Sequence, residues 1–102
     1  MPIEDALLQT ARFQGLSVGG PFSSEADTGG WANRYVIAAG SERYAGSTVY
    51  LGPLFWVFED EGYWFTQASH NEAGGADFFR RHNNAEDAVG WVISQLMSAR
   101  EP

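Results

Sequence analysis

Residues 51–66 read Leu-Gly-Pro-Leu-Phe-Trp-Val-Phe-Glu-Asp-Glu-Gly-Tyr-Trp-Phe-Thr, two aromatic runs closed around an acidic turn, and no other stretch limits the possible folds so strongly. Aromatic and β-branched residues favour strands, and an acidic pair followed by glycine favours a turn, so the stretch predicts a β-hairpin. Asp60 and Glu61 suit a type I turn, with Gly62 as the positive-φ residue of a following bulge. That three-residue loop sets Glu59 opposite Tyr63. One sheet face then carries Phe55, Val57, Tyr63 and Phe65, and the other Leu54, Trp56, Phe58 and Trp64. Both faces are apolar. The hairpin is therefore expected to be central and covered on both sides, or to offer one aromatic face to a partner.

The remainder supplies the frame. At 102 residues the chain is expected to be one domain, residues 1–102, burying roughly 60–70% of its unfolded surface. A composition of 44% hydrophobic and 19% charged residues is that of a folded globule. Pro2, Glu4 and Asp5 begin an N-terminal helix whose apolar stripe is Ile3, Ala6, Leu7 and Ala11, closed by Arg12 and Gly15. The segment 19–30, rich in glycine, serine and proline, is expected to be a surface loop. Strands are predicted at 31–39, with Trp31, Asn33, Tyr35 and Ile37 on one face, and at 47–51, with Gly52-Pro53 breaking the ladder before the hairpin. A second loop covers 69–76. Residues 77–82 suit either a short strand or a helical turn, and their periodicity does not choose. A C-terminal helix follows, with Asn84 as N-cap, Asp87 three residues on, and Ala88, Val89, Val92, Ile93 and Leu96 as the buried stripe. Trp91 lies off that stripe, as a flank packed on the sheet edge or as an exposed contact. The expected fold is α+β: an antiparallel sheet of about four strands around a central aromatic hairpin, with the two terminal helices packed on it.

Charge narrows function. Thirteen acidic against six basic side chains leave a net charge of −7, which repels phosphate backbones and anionic membranes. Direct nucleic-acid binding and membrane binding are not expected. The chain has no cysteine, and Met1-Pro-Ile-Glu-Asp5 does not resemble an export signal, so a cytoplasmic location is expected.

Signatures of catalysis are missing. His70, Glu72, Asp77 and His82 are competent metal ligands without a metal-site spacing. Ser47, Thr48 and Ser69 lack the elbow motif that exposes a nucleophile. The glycine pairs match neither a dinucleotide fingerprint nor a phosphate loop, and Arg80-Arg81 is expected to form intramolecular ion pairs. No catalytic residue, metal or cofactor is assigned, and the chain is not expected to be an enzyme.

The acidic and aromatic surface remains. Glu59, Asp60 and Glu61 at a hairpin tip, flanked by Tyr63 and Trp64, combine a negative field for steering with rigid rings that fill pockets. Acidic residues occur at any exposed turn, but this pairing also suits a protein that blocks a basic enzyme cleft. Glu59, Asp60, Glu61, Tyr63 and Trp64 are the candidate partner-binding residues.

The run Gly52-Pro-Leu-Phe-Trp-Val-Phe-Glu-Asp-Glu-Gly-Tyr-Trp-Phe65, with the acid-capped helix from Asn84 to Met97, resembles the small acidic immunity proteins of bacterial toxin systems. The resemblance implies a cognate toxin as the protein partner, inhibition by occlusion and no cofactor. Alternatives are a phage- or host-encoded inhibitor of another nucleic-acid enzyme, a small enzyme or ligand-binding protein with a pocket beside the 19–30 loop, and a homodimer that buries its second aromatic face.

Overall fold

Among the described residues, five antiparallel strands pair in the order in which they occur along the chain, and two helices cover one side of the resulting sheet. The structure, a computed structural model, describes residue 3 and residues 5–22, 34–69 and 79–100. The elements are α1 (Asp5–Phe13), β1 (Ser17–Phe22), β2 (Arg34–Tyr44), β3 (Ser47–Asp60), β4 (Tyr63–Ser69), β5 (Phe79–His82) and α2 (Ala85–Arg100). The fold is α+β as expected, with five strands in place of about four.

The central hairpin closes one residue tighter than its sequence suggests. Asp60 pairs with Tyr63 and Glu59 with Trp64, leaving only Glu61 and Gly62 in the loop. Both sit at positive φ, 52° and 85°, as in the type I′ turn whose twist matches that of the strands it joins. The expected three-residue loop is thus corrected to two, and a one-residue shift moves every side chain of β4 to the opposite face. Trp64, Thr66 and Ala68 join Phe55 and Val57 beneath the helices, whereas Tyr63, Phe65 and Gln67 join Trp56 and Phe58 on the other face.

Strands β2 and β3 are longer than expected. They meet in a second tight turn, Ala45-Gly46, again at positive φ. Gly52-Pro53 does not break the ladder. The pairing passes from Ala38↔Leu54 to Gly40↔Leu51 across it, so β3 carries an extra residue there as a bulge. Beyond the bulge, residues 41–49 form an exposed two-stranded ribbon.

Part of the expected 19–30 loop is strand. β1 pairs with β2 through Ser17↔Ala38, Val18↔Ile37 and Gly19↔Val36. A side chain at position 19 would meet the Tyr50 ring, its Cβ 2.6 Å from Cζ and 3.2 Å from Val36 Cγ1. The glycine here serves a close approach within the sheet and does not mark a loop. Residues 23–33, including Trp31 and Asn33 of the expected strand, lie outside the described residues, as do 70–78. Within the ambiguous segment 77–82, Phe79–His82 is the edge strand β5.

On the helix side, Ile3, Leu8, Ala11 and Leu16 from the N-terminal region and Ala88, Val89, Val92 and Leu96 from α2 close over Tyr35, Ile37, Val57 and Trp64. Each valine, leucine or isoleucine fully buried there contributes roughly 1.5–3 kcal/mol relative to exposure. The expected α1 stripe is rotated by one position: Leu8 is buried in place of Ala6, which is exposed. Its end is closed by hydrogen bonds from Gly15 N–H to Arg12 O and from Leu16 N–H to Ala11 O, which satisfy carbonyls of the last turn and turn Leu16 into the core. At α2 the expected cap is present, Asn84 Oδ1 accepting from Asp87 N–H at 2.8 Å.

The opposite face also contains buried side chains. Val36, Ala38 and Phe58 are closed off, and Arg34 is 7% exposed. Its guanidinium lies over the rings of Trp56 and Phe58, 4.7 and 5.1 Å from their centroids, and donates to Gln67 Oε1. Trp56 and Phe65 are half-buried.

Candidate functional site

The two-residue turn places the acidic tip on a rigid strand pair. Asp60 and Glu61 are exposed and Glu59 is half-buried on the side that carries Trp64. Tyr63 is 44% exposed beside them, and the Arg81 guanidinium lies 4.7 Å from its ring centroid. Just below, Phe58, Phe65, Phe79 and Asp60 line a notch of about 270 Å³, so one carboxylate stands at the rim of an aromatic depression. Four of the five candidate residues therefore border accessible surface. Trp64 does not, being 6% exposed and part of the core beneath α2. The single-residue change of register accounts for this, because it turns the indole from the open face to the covered one.

A second concave region lies where β5 meets α2, a cleft of about 630 Å³ lined by Arg80, Arg81, His82, Asn83, Glu86, Asp87, Gly90 and Trp91. Trp91 packs edge-on against Phe55 (5.3 Å between centroids) and lies 5.6 Å from the His82 ring. It is half-buried, the flank-packing alternative of the two open in the sequence. Arg80 stacks on the outer face of this assembly, 5.0 Å from the Trp91 ring. Arg80 and Arg81 each make a cation–π contact, with Trp91 and Tyr63 respectively.

His82 is 9% exposed, with Nε2 3.0 Å from Thr66 Oγ1. Burial holds its pKa below the ordinary histidine value, the positive charge of Arg80 lowers it further, and Asp87 acts in the opposite direction. A hydroxyl beside an imidazole has the outline of a nucleophile and its base. Thr66 is 0% exposed, however, so a substrate has no access to the hydroxyl and the pair belongs to the core. Nothing in the order of residues flags Thr66; correct strand register alone places it opposite Val57 and under α2. Arg34 was equally illegible, a cation inside an apolar sheet, and burial lowers its pKa without discharging it.

Of the four possible metal ligands, His70, Glu72 and Asp77 lie outside the described residues. Among the described residues no group of three histidine, aspartate or glutamate side chains is placed to hold a metal ion. No described helix is long and apolar enough to cross a membrane. A third depression, about 470 Å³, lies between α1 and β1 and is lined by Ile3, Asp5, Leu8, Arg12, Gly20, Pro21 and Tyr35.

Compared with known protein families, with curated proteins and with solved structures, the chain matches none.

Proposed function

We propose that this chain is a non-catalytic, protein-binding inhibitor: a cytoplasmic immunity protein that neutralises a cognate bacterial toxin by occluding a basic active cleft. The observation that carries the proposal is the β3–β4 tip, where exposed Asp60 and Glu61 stand on a two-residue turn beside the half-exposed Tyr63 ring. Exposed carboxylates on a stiff projection steer a cationic partner without having to be ordered on contact, and an adjacent aromatic ring is the type of side chain that anchors interfaces. The net charge of −7 adds a long-range field of the same sign. Glu59 contributes to that field from a half-buried position. Tyr63 is the anchor, and Trp64 supports the tip from within the core.

The test is genetic first. A gene adjacent to that of this chain is expressed alone and then together with it; toxicity relieved by co-expression supports the reading, and an adjacent product with no effect on growth and no affinity for the chain overturns it.

A second reading has its own observation. The depression between α1 and β1, with Tyr35 and Leu8 in its wall and Asp5 and Arg12 at its rim, also includes Gly20 and Pro21 and has the size of a small-ligand pocket. Binding of a small organic ligand that shifts the Tyr35 and Leu8 resonances, with no protein partner recovered, would favour a ligand-binding protein.

A further inference from the structure

The depression between α1 and β1 carries opposite charges at its two ends. Asp5, Leu8 and Arg12 all line it, and their spacing of three and then four residues stacks them on one face of α1. Asp5 begins the helix and Arg12 lies in its last turn, about 10 Å further along the axis. Both are exposed, while Leu8 between them is buried. An acid at the start of a helix and a base at its end also suit the macrodipole, which accounts for the charges but not for the cavity they share. Each pole of that dipole amounts to about half a charge, so the full charges of Asp5 and Arg12 reverse the field that an occupant of the depression meets.

Between the two ends the floor is apolar with a polar group in reach. Ile3 and Tyr35 are buried and line it. The Tyr35 hydroxyl accepts a hydrogen bond from Ile3 N–H at 3.2 Å, and a hydroxyl that accepts can still donate. On the far wall β1 changes register against β2 between Gly19 and Phe22, and the Gly20-Pro21 backbone within that irregularity lines the depression. A Cβ at Gly20 would stand 2.9 Å from Arg34 O and 3.1 Å from Tyr35 Cα, so this wall is seated directly on the strand that carries Tyr35.

We propose that this depression binds a short zwitterionic peptide, about three residues long, with its free amino terminus at Asp5, its carboxylate at Arg12 and its middle side chain over Leu8 and Tyr35. An extended chain spans at most about 3.3–3.6 Å per residue, so three residues match the separation of the two charges. A free amino acid carries both charges on one Cα and meets only one end. A phosphate or a dicarboxylate brings a negative group to Asp5, and a polyamine brings a positive one to Arg12. The Tyr35 hydroxyl donates to a peptide carbonyl between the ends, the kind of polar group that fixes orientation in an apolar pocket, and the volume of about 470 Å³ falls within the range of such sites. The inference rests on reading this depression as a ligand site and is independent of the acidic tip.

The test uses the full chain, isotope-labelled, titrated with Ala-Leu-Ala, with its N-acetylated and C-amidated forms, and with ω-aminooctanoic acid, which has a similar charge separation and no amides. Expected are shifts of the Leu8 methyl and Tyr35 ring resonances with Ala-Leu-Ala, and binding about three- to fivefold weaker when either end is blocked, the scale of an ion pair open to solvent. Asp5→Asn should erase the difference between free and acetylated peptide and keep that between acid and amide; Arg12→Gln should do the reverse. A disturbed fold does not produce that exchange of preferences, and unchanged α2 resonances verify it. Equal binding of the blocked forms, or preferences that survive the two substitutions, overturns the proposal while leaving a ligand site in place. Binding of ω-aminooctanoic acid as tight as that of the tripeptide overturns the assignment to peptides. An absence of Leu8 and Tyr35 shifts with every one of these compounds at millimolar concentration overturns the proposal and counts against the ligand-site reading as well.

Discussion

Thr66 Oγ1 and His82 Nε2 lie 3.0 Å apart across the β4–β5 pairing, so the imidazole that links the edge strand to the sheet is fixed from within the core. In the folded chain its pKa is depressed, first by burial, then by Arg80, with Asp87 opposing. In the unfolded chain it titrates near 6.5. The unfolded state therefore binds more protons as the pH falls below that value. The contribution of His82 to stability is present in full above about pH 6.5 and is lost as the pH drops through the depressed folded value. Urea denaturation from pH 8 to pH 5 should show this decline, and His82→Gln should flatten it. An unchanged pH profile in the variant would remove His82 as its source.

Tyr50 occupies the space above Gly19. Gly19→Ala forces the ring aside or strains β1, and overpacking of this kind costs typically about 1–3 kcal/mol. Tyr50→Ala opens the space, so the double variant should lose clearly less than the sum of the two single losses. Additive losses in a denaturation cycle would place the strain elsewhere.

Glu61 holds φ at 52° in a turn where asparagine is at home. Glu61→Asn should raise stability by a few tenths to about 1 kcal/mol, because left-handed backbone is less costly for asparagine. It should also slow association with a basic partner. Replacing Glu59, Asp60 and Glu61 by their amides should leave folding nearly unchanged, slow association and flatten its dependence on salt. Stopped-flow binding to the partner at two salt concentrations measures both; association unaffected by neutralising the tip would move the interface off it.

Tyr63→Ala and Trp64→Ala should separate cleanly. The first removes a half-exposed ring and should speed dissociation, with a loss of roughly 2 kcal/mol in binding if it is the anchor. The second empties the core under α2 and should cost about 3–5 kcal/mol of stability. Thermal unfolding alongside dissociation rates distinguishes them, and a fully stable Trp64→Ala protein would contradict the packing described.

Much of this architecture is legible in the residues because local and global signals agree. Asn84, Asp87 and the 88, 89, 92, 93, 96 stripe describe α2 with its cap, although Ile93 is only half-buried at the margin of the core, and the aromatic runs on either side of Gly62 describe a hairpin. The exact register is not legible. Asp60-Glu61-Gly62 suits a three-residue loop as well as a two-residue one, and glutamate is an unusual occupant of the positive-φ position that it takes. That one step decides whether Trp64 belongs to a surface or to the core. β1 is hidden by Gly-Gly-Pro, which signals a break unless a neighbouring ring needs the vacancy, and β5 is too short for a period to appear. The ring-stacked arginines depend on β5 and are hidden with it.

Because each strand pairs with the next one in the chain, the sheet can be assembled in the order of synthesis, every new strand finding its neighbour already made. Local pairing of this kind favours rapid folding. The exception is α2, which comes after all five strands and supplies half of the lid over Tyr35, Ile37 and Val57. Until it arrives, the nascent sheet carries an uncovered apolar flank, the kind of surface on which partly made chains associate. The final helix is thus the latch of the fold, and the interval before it closes is when a nascent chain most needs protection from its neighbours.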